Sequence, residues 1–249
     1  MAAPAWLVAR PIAHRGLHDR AKGVIENTAG AARAAIERNF AIECDVQLTR
    51  DLEAVVFHDF ALERLTADGT GKVAERTAAE VGALSLKDTT DRILPLADFL
   101  AVLGGRVPLV LEIKSTFEGD LRLTRRTLEV LKGYAGPIAV KSFDPEIVVA
   151  LRELAPDRPR GIIGQANYEH PEYVRLSKEQ KHAAANLLHF ERSRPDFLSW
   201  QVKDLQNAAP FLCRHAAGLP VMTWTVRTPH DRELATAGAD QMVFEGFVP

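Results

Sequence analysis

Apolar runs of strand length alternate with stretches of helical periodicity along almost the whole chain, the pattern of repeated strand–helix units around a parallel sheet. Strands are predicted at Pro11–Ala13, Ala41–Leu48, Val107–Ile113, Pro137–Lys141, Arg160–Gly164, Phe197–Val202, Leu219–Val226 and Gln241–Phe244, with a further apolar run at Ala54–Phe57. Helices are predicted from Glu26-Asn27-Thr28 to about Arg38, over Pro95–Leu103 and Asp120–Lys132, and from Asp144-Pro145-Glu146 to Leu154. Three more are predicted around Glu179–His189, over Leu205–Ala217 and from the capping box Thr228-Pro229-His230-Asp231 to Gly238. Residues 60–94 break the rhythm with short segments punctuated by Thr66, Asp68-Gly69-Thr70-Gly71 and Thr89-Thr90-Asp91, an excursion between two units. Eight units in 249 residues fit an α/β fold of the TIM (β/α)8 barrel type.

Composition narrows the function classes. With 47% apolar residues the chain can bury a sizeable core, and a net charge of −2 predicts no bulk attraction to nucleic acid or to an anionic membrane. Phosphate recognition would have to be local. Cys44 and Cys213 stand far apart in unlike contexts, which predicts buried free thiols and a cytoplasmic, reducing compartment. No basic start followed by a long apolar run predicts a signal peptide, and no apolar stretch reaches membrane-spanning length.

The polar groups gather at the C-terminal ends of the predicted strands: His14-Arg15, Glu43 and Asp45, His58-Asp59, Glu112 and Lys114, Ser142, Trp224-Thr225. In a TIM barrel those ends line one mouth, where active sites sit. Strand parity turns Glu43 and Asp45 to one face, about 7 Å apart at about 3.3 Å per residue, and Glu112 shares a face with Lys114. Such a pair fits a metal or acid/base site, or two barrel carboxylates held by Arg or Lys. Three carboxylates without Cys or paired His ligands make an oxygen-rich set suited to Mg2+ or Ca2+ rather than zinc. His14 and His58 are either core histidines or a proton-transfer pair. Arg15 either pairs with Glu26 or offers its donor fork to a phosphate, Lys114 either pairs with Glu112 or neutralises a phosphoryl oxygen, and Trp224 is core or substrate contact. His170, His182 and His189 have no carboxylate at ligand spacing and are read as surface or helix-end residues, and Arg122, Arg125 and Arg126 as a solvated face.

In order along the chain, these motifs resemble those of the glycerophosphodiester phosphodiesterases: His14-Arg15-Gly16, Glu26-Asn27-Thr28, Glu43-Cys44-Asp45, Thr49 to Asp51, His58-Asp59, Glu112 to Lys114, Ser142-Phe143 and Val221 to Val226. The resemblance implies one TIM-barrel catalytic domain over 1–249, with a small insertion at 60–94 after the second βα unit. It implies metal-dependent hydrolysis of a small-molecule glycerophosphodiester to sn-glycerol 3-phosphate and an alcohol. Glu43, Asp45 and Glu112 would bind a divalent cation, His14 and His58 would be the acid/base pair, and Arg15, Lys114 and Trp224 would contact substrate. The alternatives are a phospholipase-type phosphodiesterase acting through a cyclic phosphate and a non-catalytic phosphodiester-binding barrel. The chain departs from the family pattern at Leu52, at Arg227 after Trp-Thr-Val, and at Phe244-Glu245; Arg227 is expected to favour a substrate with an additional anionic or polar group. Oligomeric state is not readable from the sequence.

Overall fold

A computed structural model describes residues 3–249 and divides the chain into two compact units. One runs from Ala13 to Lys114 and takes in Leu121–Pro137. It holds β2 (Ala41–Leu48), β3 (Ala54–Val56) and β4 (Leu109–Ile113), with β1 (Ile12–Ala13) leading into it and pairing with β2. β2 runs parallel to β4 with Asp45 opposite Glu112, and antiparallel to β3 with Val46 opposite Val56. Directly paired residues point to the same face of a sheet, so this register puts Asp45 and Glu112 side by side, with Glu43 two residues back on the same face. The other face of β2 carries Ile42, Cys44 and Val46, each fully buried.

Helix α1 (Ala29–Glu37) begins where the Thr28 hydroxyl accepts from the Ala31 N–H, an N-cap bond that satisfies one otherwise orphaned donor. Its buried side is small, with Ala31, Ala32 and Ala35 inaccessible to solvent, and Asn39 closes the turn at φ 57°. The segment 60–94 contains a 3-10 turn at Val73–Glu75 and one short α-helix, α2 (Ala78–Ala83), started by a Thr77–Glu80 capping box. It builds its own apolar cluster, in which Leu62, Val73, Val81 and Ile93 pack with Val55 and Phe57. Helices α3 (Leu96–Leu103) and α4 (Arg122–Leu131) complete this unit.

The second unit comprises the chain up to Ile12, Ser115–Asp120 and Ile138–Pro249. Its strands β5 (Ile138–Ser142), β6 (Arg160–Gly164), β7 (Phe197–Gln201), β8 (Val221–Val226) and β9 (Gln241–Phe244) pair in consecutive order, all parallel. Gly161 and Gly164 in β6 stand opposite Phe197 and Trp200, and a Cβ at either glycine would run into the facing ring. The two glycines therefore make room for buried aromatics rather than supply flexibility. Helix α5 (Pro145–Leu154) starts at Asp144, whose carboxylate accepts from the Glu146 N–H.

Two predicted helices are shorter than expected. The one around Glu179–His189 is split into α6 (Lys178–Ala185) and α7 (Phe190–Ser193), with Leu187 between them at φ 52°. Leu205–Ala217 becomes α8 (Ala208–His215), because Val202–Asp204 forms a 3-10 turn first. Helix α9 (Pro229–Gly238) follows its capping box as predicted. His189 does stand at a helix end, before α7, but it is buried and not a surface residue. Its ring pairs with Ser193 Oγ at 3.0 Å, and burial, with Arg192 nearby, lowers its pKa to about 4. Among the described residues no helix is long and apolar enough to cross a membrane.

Candidate active site

Glu43 and Asp45 of β2 and Glu112 of β4 each place a carboxylate oxygen within 4.8 Å of the others, and all three are buried. Two unit charges at that separation repel by about 3.5 kcal/mol at an effective dielectric near 20. Cations answer part of this. Lys114 Nζ lies 2.8 Å from Glu112 Oε1 and 3.5 Å from Asp45 Oδ1, and Arg15 Nε lies 3.4 Å from Asp45 Oδ2. The Asn27 side-chain amide donates to Asp45 Oδ2 at 3.0 Å. Burial alone would raise the Asp45 carboxyl, yet His58, Lys114, Arg15 and the Asn27 amide hold it well below the usual carboxylate range. Burial likewise works against the Lys114 charge, and Glu112 and Asp45 outweigh it and raise its pKa.

The loop after β1 is bent to serve this cluster. Arg15 and Gly16 are both left-handed, at φ 55° and 81°, a conformation costly for a non-glycine residue. Added side chain at Gly16 would collide with Ala31 of α1. The turn aims the Arg15 N–H at Glu43 Oε2, at 3.2 Å, and the Asn27 N–H returns to the Arg15 carbonyl at 2.9 Å. Asn27, at φ 59°, is the residue type best suited to that backbone region after glycine.

The two histidines stand against this cluster. His14 Nε2 is 3.9 Å from Glu43 Oε2. His58 Nδ1 is 2.7 Å from Asp59 Oδ1, and the His58 main-chain carbonyl accepts from Gln47 on β2. Asp59 is gripped by Arg64, whose Nε reaches Oδ2 at 2.5 Å while its two Nη atoms donate to Glu26 at 2.9 and 2.7 Å. Glu26 in turn accepts from Arg15 Nη1 at 2.6 Å. A continuous charged chain thus runs His58, Asp59, Arg64, Glu26, Arg15, Asp45. Burial would raise Glu26, but Arg64 and Arg15 bring it down to about 2. Asp59 is lowered by the same play of burial against His58 and Arg64.

The buried carboxylates of Glu43, Asp45 and Glu112, their oxygens within reach of one another, form the oxygen-rich donor set that suits one hard divalent cation. These residues fit such an ion.

Glu43, Asp45, Glu112, His14, Arg15, His58 and Lys114 therefore meet in one unit, as their strand-end positions predicted. Trp224 belongs to the other unit. It is half-buried on β8, its indole N–H donates to the Ser199 carbonyl at 3.1 Å, and its ring meets Phe143 edge-on at 5.4 Å. Arg227 and Glu245 also lie there and pair with each other at 2.5 Å, so two of the departures from the family pattern answer one another's charge. Sequence reasoning placed Asn27 in a motif without foreseeing its contact with Asp45, and missed Arg64. Asn27 had a usable signal, an Asn placed just before an N-cap Thr. Arg64, inside the irregular 60–94 segment, had none.

Residues 14–245 match the model of the glycerophosphoryl diester phosphodiesterase family. A glycerophosphodiester phosphodiesterase of Caldanaerobacter subterraneus subsp. tengcongensis is 29% identical over 245 residues, covering 93% of this chain and 92% of the relative. Among solved structures, an Oleispira antarctica phosphodiesterase in complex with the product sn-glycerol-3-phosphate superposes with a TM-score of 0.78 at 23% identity, over 96% of this chain and 93% of that one. A glycerophosphodiester phosphodiesterase from Thermotoga maritima gives 0.69 at 23% identity, over 94% and 92%. The fold is the (β/α)8, or TIM, barrel of these structures. With the family model spanning nearly the whole sequence, this chain is an enzyme that belongs to the glycerophosphoryl diester phosphodiesterase family.

Proposed function

We propose that this chain hydrolyses glycerophosphodiesters to sn-glycerol 3-phosphate and an alcohol, with Glu43, Asp45 and Glu112 holding Mg2+ or Ca2+ and with His14 and His58 moving protons. The observation that carries this reading is the convergence of three buried carboxylates beside two imidazoles in a chain of this family. The Caldanaerobacter relative, a glycerophosphodiester phosphodiesterase, supports the substrate class, and the product held by the Oleispira protein supports the product.

A bound divalent cation supplies positive charge to the phosphoryl oxygens as negative charge builds there. Arg15 and Lys114 add fixed positive charge at the same place, already desolvated and aimed by their carboxylate partners, so little reorganisation is needed when substrate arrives. Asp59 occupies Nδ1 of His58 and leaves Nε2 as the nitrogen free to exchange a proton. One imidazole takes the proton of the attacking nucleophile and the other returns one to the leaving alkoxide. Trp224 remains the substrate-contact candidate named by the motif resemblance; its indole N–H is tied to the Ser199 carbonyl.

Residues 1–249 are read as one catalytic domain with 60–94 as an insertion, a reading supported by the apolar cluster that packs the segment on Ile25, Val55 and Phe57. The free, buried thiols of Cys44 and Cys213 suit a cytoplasmic location. The test is a panel of glycerophosphodiesters assayed for glycerol 3-phosphate with added Mg2+, Ca2+ or chelator. Release that stops with chelator is expected; binding without turnover, or turnover indifferent to chelator, defeats the reading. Arg227→Asn removes a positive charge beside Glu245 and is expected to shift preference from glycerophosphoinositol toward glycerophosphocholine. An unchanged ranking removes Arg227 from headgroup selection.

A further inference from the structure

Gln47 lies on the same face of β2 as Glu43 and Asp45, two residues beyond Asp45 along the strand, and carries none of the roles assigned above. Its side chain is 4% exposed, an amide held inside the molecule. A buried amide needs hydrogen-bond partners to offset its desolvation, and those partners fix where the side chain points. The partner here is the main-chain carbonyl of His58, which accepts from Gln47 Nε2 at 2.8 Å. A carbonyl only accepts, so the contact also fixes which end of the amide faces the histidine.

His58 sits just past the end of the strand pairing. β3 stops at Val56, opposite Val46 of β2, so the His58 carbonyl lies beyond the last ladder pair and takes its donor from a side chain instead. The Phe57 N–H makes one more bond to β2, donating to the Asp45 carbonyl at 3.1 Å. The chain that bears the histidine is thus hung from β2 at two points, the main chain of Asp45 and the side chain of Gln47. Asp59 holds the ring through Nδ1, but it is the next residue along and sets the ring's rotation rather than the distance of His58 from β2. Thr49, next on the Gln47 face, serves the turn alone: its hydroxyl bonds to Asp51 and to the Glu53 main chain.

We infer that Gln47 is a positioning residue, whose amide holds the His58 main chain against β2 and so sets the imidazole in place relative to the carboxylates borne by that strand. The inference rests on the assignment of proton transfer to His58. Placement matters there because a proton moves efficiently only across about 3 Å, and a misplacement of about 1 Å costs up to about 100-fold in rate.

The experiment is a double-mutant cycle. Gln47→Met keeps the length of the side chain and removes the donor. Turnover of glycerophosphocholine is measured in wild type, Gln47→Met, His58→Ala and the double variant, with Mg2+ affinity read by calorimetry alongside. Gln47→Met is expected to lower kcat by about 10–100-fold, with KM and Mg2+ affinity within about threefold of wild type. In the His58→Ala background the same substitution is expected to cost less than about threefold, because a residue acting through His58 has nothing left to position. Should Gln47→Met fail to melt cooperatively, Gln47→Asn takes its place in the cycle, being polar but one methylene too short to reach the carbonyl. A wild-type kcat in the Gln47 variant, an equal loss in both backgrounds, or a loss of Mg2+ affinity that matches the loss of rate would each overturn the inference. Near-normal turnover in His58→Ala would remove the proton-transfer assignment and this inference with it, so the single variants tell the two failures apart.

Discussion

Glu43→Gln is expected to make the protein more stable in chelator while abolishing its activity. Glu43 shares a buried space of 4.8 Å with Asp45 and Glu112, and each of those contacts costs about 3.5 kcal/mol at an effective dielectric near 20. The Arg15 main-chain N–H and His14 Nε2, 3.9 Å away, offset part of that. Gln keeps a side-chain oxygen to accept the Arg15 N–H and removes the repulsion, so a net gain of about 1–3 kcal/mol is expected without metal. At about 2–4 °C per kcal/mol for a chain of this size class, thermal unfolding in chelator should rise by several degrees. Wild type, in contrast, should gain stability with Mg2+ or Ca2+ as the ion saturates its site, and the variant should gain much less. The assay is paired melting curves in chelator and in saturating cation, with glycerol 3-phosphate release measured alongside. A variant that melts lower than wild type in chelator and still shows the full cation-induced rise would refute the charge argument.

Other outcomes follow from the same geometry. His14→Ala and His58→Ala are each expected to lose activity by about 100-fold or more while the melting curve stays cooperative; near-normal turnover in either removes that histidine from proton transfer. Arg64→Ala strips Asp59 and Glu26 of a shared cation, and about a 10–100-fold loss of activity or cation affinity is expected from the loosened support around His58 and Arg15; kinetics and cation affinity like those of wild type would show the charged chain to be ornamental. His189 is held neutral, with its folded pKa lowered to about 4 from an ordinary value near 6.5. The unfolded chain therefore takes up a proton that the folded one refuses as pH falls through that window. Stability is intact above about pH 6.5 and declines toward pH 4, by about 2 kcal/mol between pH 7 and 5. Urea unfolding of wild type and His189→Gln at both pH values checks this, and equal pH slopes would count against it.

The alternation of apolar and polar positions was enough to place the strands, because side-chain direction in a strand has a period of two and needs no knowledge of the rest of the chain. It put Glu43 with Asp45, and Glu112 with Lys114, on common faces, and it put His14 and His58 at strand ends. The N-cap at Thr28 and the capping box at Thr228 were equally local, a matter of residues three apart. Register was not local. That Asp45 stands opposite Glu112, across more than sixty residues of chain, is decided by how β2 pairs with β4. The same holds for Arg64 reaching Asp59 and Glu26, for Arg227 meeting Glu245, and for the burial that silences His189. Sequence by itself determined which chemical groups the chain carries and which way each strand turns them. Only the tertiary structure decided their neighbours, since a charge's partners and its exposure to water are properties of the packed molecule and not of the segment that bears it.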